Sequence, residues 1–205
     1  MVFLTLLFLV LAGNDFSNFT YCHENTRGPF ELQCVRLDPN AKGEVTFKRR
    51  DDETVKLGVQ LSASARDRFI TVLAAINYLE SGETYESRRK VADLGRKRLT
   101  LETPEGTREA TYNFSDLKPV MDLTAFFEAL INQQTIIFDL ENATQFERLS
   151  VPKRLDQIET ELKSNRIGDP EGLIPLLEKI EADQRLVNYA RVQAGKLKKQ
   201  IEARK

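Results

Sequence analysis

Residues 99–114 read L-T-L-E-T-P-E-G-T-R-E-A-T-Y-N-F, and residues 115–140 continue S-D-L-K-P-V-M-D-L-T-A-F-F-E-A-L-I-N-Q-Q-T-I-I-F-D-L. The first run alternates. Leu99 and Leu101 lie on one arm, Ala110, Tyr112 and Phe114 on the other, with Thr103-Pro104-Glu105-Gly106 between them. Proline presets φ and glycine accepts positive φ, so the spacing predicts a β-hairpin. The second run carries Val120, Leu123, Phe126, Phe127, Leu130 and Ile131 at helical spacing, which predicts a broad apolar helix face whose plainer use is core packing. Ser115 or Asp116 is the expected cap, and Pro119 falls in the first turn, where a missing N–H costs least. A hairpin feeding such a helix joins a strand-rich half to a helical half and sets the class as α+β.

Towards the N-terminus, Phe30–Leu37 alternates loosely and reads as a first strand ended by Asp38-Pro39-Asn40. Gly43–Phe47 and Thr54–Leu61 flank the charged turn Arg49-Arg50-Asp51-Asp52, and Val55, Leu57, Val59 and Leu61 keep a strict period of two. Ser62 and Ser64 open a helix in which Ser64 and Asp67 resemble a capping box. Phe69, Val72, Leu73, Ile76 and Leu79 face the sheet, and Ser81-Gly82 closes it.

Beyond the centre, Thr135-Ile136-Ile137-Phe138 is β-branched or aromatic, yet the helix is expected to run on to Gln145 and Phe146. Pro152 opens a helix with Leu155, Ile158 and Leu162 on one side, and Gly168-Asp169-Pro170 ends it. Asp169 caps the next, with Pro170 at its first position. An apolar stripe then runs from Leu173 through Leu177, Ile180, Val187, Ala194 and Leu197 to Ile201. The expected architecture is a small antiparallel sheet packed by one or two helices, followed by a C-terminal antiparallel helical pair. Its second arm is the longer and projects beyond the first. Residues 14–149 form the α+β domain and 150–205 the helical hairpin.

With 205 residues, 41% hydrophobic and 30% charged, the chain can bury a real core. The net charge of −1 hides an uneven distribution. Residues 46–100 hold 12 basic and 8 acidic groups, 101–150 hold 3 and 9, and 151–205 hold 12 and 9. An acidic centre between basic flanks points to internal pairing rather than a uniform polyanion-binding surface.

Met1 is followed by V-F-L-T-L-L-F-L-V-L-A-G, too short to span a bilayer but of the length of a secretory signal core. Val10 and Ala12 suit the positions before a cleavage point. Residues 1–13 are therefore expected to be a signal that leaves no transmembrane anchor after processing, and the mature protein is expected to be periplasmic or secreted. A buried strand or helix is the other reading of this run. Cys22 and Cys34 are the only cysteines and His23 the only histidine. The pair can close one disulfide or remain two thiols. A zinc site would have to recruit a further carboxylate, so no metal or other cofactor is expected.

Arg88, Arg89, Lys90, Arg96, Lys97 and Arg98 place six basic groups in eleven residues. This is the one stretch that suggests an anionic surface or nucleic acid. It lacks interleaved aromatic residues for base stacking, and the acidic block follows directly, so a solvated loop paired with that block is the plainer reading and no nucleic acid is expected. Phosphate-cradling, dinucleotide, nucleophile-elbow and zinc-peptidase motifs are absent. A lone histidine near the expected mature N-terminus leaves a Ser-His-Asp or Cys-His machine without its base.

The segments G-E-V-T-F-K-R-R-D, V-A-D-L-G, M-D-L-T-A-F-F, I-F-D-L-E, Q-F-E-R-L and L-L-E-K-I-E-A-D-Q-R-L-V-N-Y-A-R resemble, over most of residues 30–200, uncharacterised exported bacterial proteins. The resemblance implies export and an α+β body with a helical tail. It brings no activity, and the N-x-S/T sites at Asn18, Asn113 and Asn142 are coincidental in that setting. The leading expectation is a non-catalytic exported protein that binds another protein through its C-terminal helices. The first alternative is a hydrolase using loop carboxylates such as Asp51, Asp52, Glu53 or Asp93. The second is an anionic-surface binder using the basic run.

Overall fold

The computed structural model describes residues 15–80 and 84–204. The expected signal and the closing Ser81-Gly82 lie outside the described residues. One antiparallel sheet holds six strands in the order β4-β3-β2-β1-β5-β6. They are β1 (Asn18–Glu24), β2 (Phe30–Leu37), β3 (Lys42–Arg49), β4 (Thr54–Gln60), β5 (Arg96–Thr103) and β6 (Gly106–Tyr112). The first four form a meander, and β5 then pairs with the free side of β1. Strand β1 corrects the reading of Phe30–Leu37 as the first strand. Its Phe19 and Tyr21 do alternate, but over only two apolar positions. The central hairpin forms with Thr103 opposite Gly106, whose φ is 138°.

Helices α1 (Ala63–Ala75) and α2 (Lys118–Phe146) cover one face of the sheet. The helix cap is Ser62, not the Ser64 box: its hydroxyl accepts the Ala65 N–H at 3.3 Å. The helix stops at Ile76, three residues short of Leu79, because Asn77, Tyr78 and Leu79 take φ of 49°, 48° and 57°. In α2 the cap position is Leu117, and Ser115 instead accepts the Leu117 N–H at 3.2 Å. Residues 135–138 are helical within it. Phe127 anchors the interface, its ring 5.2 Å from Phe19, 5.4 Å from Tyr21 and 6.0 Å from Phe69.

Beyond α2 come α3 (Val151–Lys163), α4 (Ile174–Ala182) and α5 (Asn188–Glu202). These helices pack together as a C-terminal helical unit. The stripe expected as one long arm is two helices, because the chain turns at Asp183–Val187 and α5 folds back along α4. No proline or glycine marks that turn. Asp183 makes it instead, accepting the Arg185 N–H at 3.0 Å and pairing with the guanidinium at 2.8 Å.

Two apolar clusters result, and α2 belongs to both. Val120, Leu123, Phe127, Leu130 and Ile131 pack into the sheet cluster, and Ile136, Leu140 and Ala143 pack into the helical one. A buried polar knot ties the halves together. Asp169, 1% exposed, accepts from Ser62 at its backbone N–H (2.8 Å) and hydroxyl (2.7 Å), and from the Gly172 N–H (3.2 Å). The Gln133 side-chain amide bonds both the N–H and the carbonyl of Asp169 at 2.7 Å. The acidic centre also pairs with its flanks. Asp139 receives one Arg49 Nη2 on both its oxygens at 2.8 and 2.9 Å and has Arg154 at 3.7 Å, and Glu102 takes Arg36 at 3.0 Å.

Cys22 and Cys34 sit opposite one another on β1 and β2 and form a disulfide across the open face of the sheet. The loop it closes spans 12 residues, so reduction should lower stability by ~2–3 kcal/mol while leaving the fold in place. Denaturant melts with and without reductant measure this. An unchanged midpoint would show that the bond adds nothing beyond the strand pairing.

Candidate functional site

The alternation of β5 decides where its basic residues go. Arg96 and Arg98 fall on the open face, where Arg98 pairs with Glu24 at 3.6 Å, whereas Lys97 shares the helix-covered face with Leu99 and Leu101. Arg88, Arg89 and Lys90 lie exposed on the segment between α1 and β5, with Arg89 3.5 Å from Asp116. The pleat of β5 therefore sets Lys97 apart from the open-face basic residues on either side of it. Asp51, Asp52 and Glu53 are exposed in the β3–β4 turn, which Arg50 ties to the Thr26 and Gly28 carbonyls of the β1–β2 turn, and Asp93 meets that same turn at Arg27.

Asn113 holds the segment 84–95 against the β5–β6 end. Its Oδ1 accepts the Leu94 N–H at 2.8 Å, its Nδ2 donates to the Ala92 carbonyl at 2.9 Å, and its own N–H donates to Glu86 at 2.6 Å. His23 Nε2 lies 2.9 Å from the Leu94 carbonyl, to which its N–H donates. Asp93 accepts the Gly95 N–H at 3.1 Å and faces Arg27 at 3.7 Å. Glu86 and Asp93 do share a shallow groove of about 330 Å³, yet both are committed to holding this loop. The cysteines, joined to each other, have no thiolate to offer a metal. Among the described residues no trio of His, Cys, Asp or Glu is placed to hold one.

On the other side of Tyr112 and Asn113 lies a cleft of about 250 Å³ between the loop and the first turns of α2. Leu94, Phe114, Met121 and Ala125 form apolar walls, and Lys97, Tyr112, Thr124 and Glu128 supply the polar groups. Lys97 is only 7% exposed, and its ammonium donates to the Asn113 carbonyl at 3.1 Å. Burial pushes its pKa down, opposed by the charges of Glu128 and Glu86. Burial likewise raises Tyr112 to about 12, although its hydroxyl bonds Thr124 at 2.6 Å. Tyr21 is raised by burial and then by Glu128, to which it donates at 3.3 Å.

A phenol raised on folding contributes stability in full below its unfolded value near 10, and that contribution is lost as pH rises through the folded value. Lys97 has the opposite sign: its burial costs most at neutral pH and is relieved as pH approaches 10.5. Stability should therefore fall from pH 10 upward, as the two tyrosines outweigh the lysine, and phenolate absorbance should lack at least two of the chain's five tyrosines until about pH 12. Complete tyrosine ionisation by about pH 11 with circular dichroism intact would contradict the burial of both rings.

A second feature lies at the far end of α2. The corner at 146–150 stands beside the turn at 183–187: Thr144 and Gln145 share a groove of about 500 Å³ with Ile180, Asp183 and Arg185. The Arg185 carboxylate partner, Asp183, is held down to about 2 by those bonds, with a smaller contribution from Arg148. Phe146 and Leu149 are 79% and 87% exposed, and Val187 and Tyr189 are also exposed. No helix among the described residues is long and apolar enough to cross a membrane.

The sequence reading placed Lys97 among the six residues of the basic run, as a surface group, and did not mark Glu128 or this corner. Continuing the period of two back from Leu101 and Leu99 to Lys97 would have marked an inward-facing lysine. No known family model matches the chain, and no curated protein matches it.

Proposed function

We propose that the chain is an exported, non-catalytic binding protein that docks a partner protein through the corner where α2 turns into α3. The observation that carries this is the exposure of Phe146 and Leu149 on a backbone fixed by its own bonds. Glu147 N–H reaches the Ala143 carbonyl at 2.9 Å, and Ser150 N–H reaches the Glu147 carbonyl at 2.7 Å. Large apolar side chains held out on an ordered helix corner are the usual anchors of an interface. The adjoining groove favours a protein over a flat lipid surface, since a protruding side chain can fill it. Arg148 lies in the corner between the two exposed apolar residues, so the fitting partner presents an apolar knob with a carboxylate beside it. Export is supported by the disulfide, which persists in oxidising compartments, and by the sequence resemblance to exported proteins.

Photo-crosslinking in the native host tests this, with the reactive side chain at position 149 and a control at Thr20 on the open sheet face. A protein adduct of defined mass at 149, absent at Thr20 and lost on Arg148→Glu, is the expected result. Adducts only with lipid, only with a second copy of the chain, or equally at both positions would overturn it.

A further inference from the structure

We infer that the cleft floored by Lys97 binds a small zwitterion with an apolar body, the chemistry of an α-amino acid carrying an aliphatic or aromatic side chain. The inference does not depend on the docking corner.

The fold has no need of a charge at position 97. Its same-face neighbours along β5, Leu99 and Leu101, are fully buried hydrocarbon, and a methionine would fill the space without the cost of desolvating an ammonium. The ammonium has three donors, and one is used, on the Asn113 carbonyl. Across the cleft, Glu128 comes in from α2, its Oε1 held by the Tyr21 hydroxyl. The two opposite charges line the same cleft and act on one another through space, with no hydrogen bond between them. A ligand carboxylate would complete the donors of Lys97, and a ligand ammonium would sit at Glu128. A simple anion would meet repulsion from Glu128, and a simple cation from Lys97.

The walls decide the rest of the ligand. Leu94 and Met121 are 46% and 48% exposed at the mouth, and an apolar body seated between them and Phe114 would cover both. At about 250 Å³ the cleft lies just below the range of about 300–1,000 Å³ typical of drug-sized ligands, which limits the occupant to a small molecule.

Calorimetry on the full chain with four probes tests this: L-leucine, L-phenylalanine, 4-methylpentanoate and 3-methylbutylamine. At least one amino acid should bind, with the probes lacking one charge at least tenfold weaker. Lys97→Met and Glu128→Gln should each weaken the amino acid at least tenfold, with Tm unchanged or raised for Lys97→Met. If either variant fails to fold, Met121→Trp blocks the mouth without touching a charge and should abolish the same binding. Equal affinity for 4-methylpentanoate and leucine would make the cleft an anion site and overturn the inference. So would undiminished binding in Met121→Trp, or no heat from any probe at millimolar concentration.

Discussion

Replacing Asp169 with alanine is expected to destabilise the protein by on the order of 3–5 kcal/mol, the loss of two hydrogen bonds from Ser62 to a buried carboxylate at about 1.5–3 kcal/mol each. The carboxylate is 1% exposed and receives the Ser62 N–H, the Ser62 hydroxyl and the Gly172 N–H. Its removal strips the Ser62 N–H and hydroxyl of their acceptor, whereas the Gly172 N–H keeps the Asp169 backbone carbonyl at 3.0 Å; a buried donor left unpaired costs about 1–3 kcal/mol. Asp169→Asn keeps the shape but turns one acceptor into a donor facing an N–H, so it should cost less than alanine and more than ~1 kcal/mol. Equilibrium urea unfolding measures both. A loss below ~1 kcal/mol in the alanine variant would show that water satisfies those donors and that the knot between Ser62 and Asp169 is incidental.

Gly43→Ala and Gly58→Ala form the second contrast, the same change with opposite consequences. A Cβ on Gly43 would stand 1.8 Å from the Arg36 carbonyl oxygen, which is backbone of the paired strand and cannot rotate away. Strands β2 and β3 would have to separate locally, at a cost of about 3 kcal/mol, the upper part of the range for overpacking. A Cβ on Gly58 meets nothing within 4 Å. There the substitution only reduces the freedom of the unfolded chain, so it should be neutral or stabilising by up to ~1 kcal/mol. Thermal and urea melts of the pair decide the matter, and equal effects at both positions would refute the close approach at Gly43.

The sequence and the structure agree where the signal is local. Pro104 and Gly106 announce the hairpin turn, and the six apolar residues from Val120 to Ile131 announce the buried face of α2. The features that went unseen depend on residues distant in sequence. Asp169 is legible as a helix cap, but its bonds to Ser62 span 107 positions. The turn at Asp183 carries neither glycine nor proline, and its apolar stripe continues in phase on both sides, so periodicity reads straight through it. Lys97 was hidden by company: between Arg96 and Arg98 it looks like one member of a charged run. Only the pleat of β5, which places neighbours on opposite faces, separates it from them. Glu128 becomes a site residue only when α2 lies over that strand.

Helix α2 runs unbroken for 29 residues. Its second turn brings Thr124 to the cleft, and its last residue, Phe146, stands at the exposed corner. At 1.5 Å per residue these points are roughly 33 Å apart on one rod. The rod is seated in two separate apolar beds and pinned near its middle by Gln133 to Asp169. It is therefore a spar common to both cores: a change that unseats it from one bed removes a wall of the other, so the sheet half and the helical half should unfold in one transition.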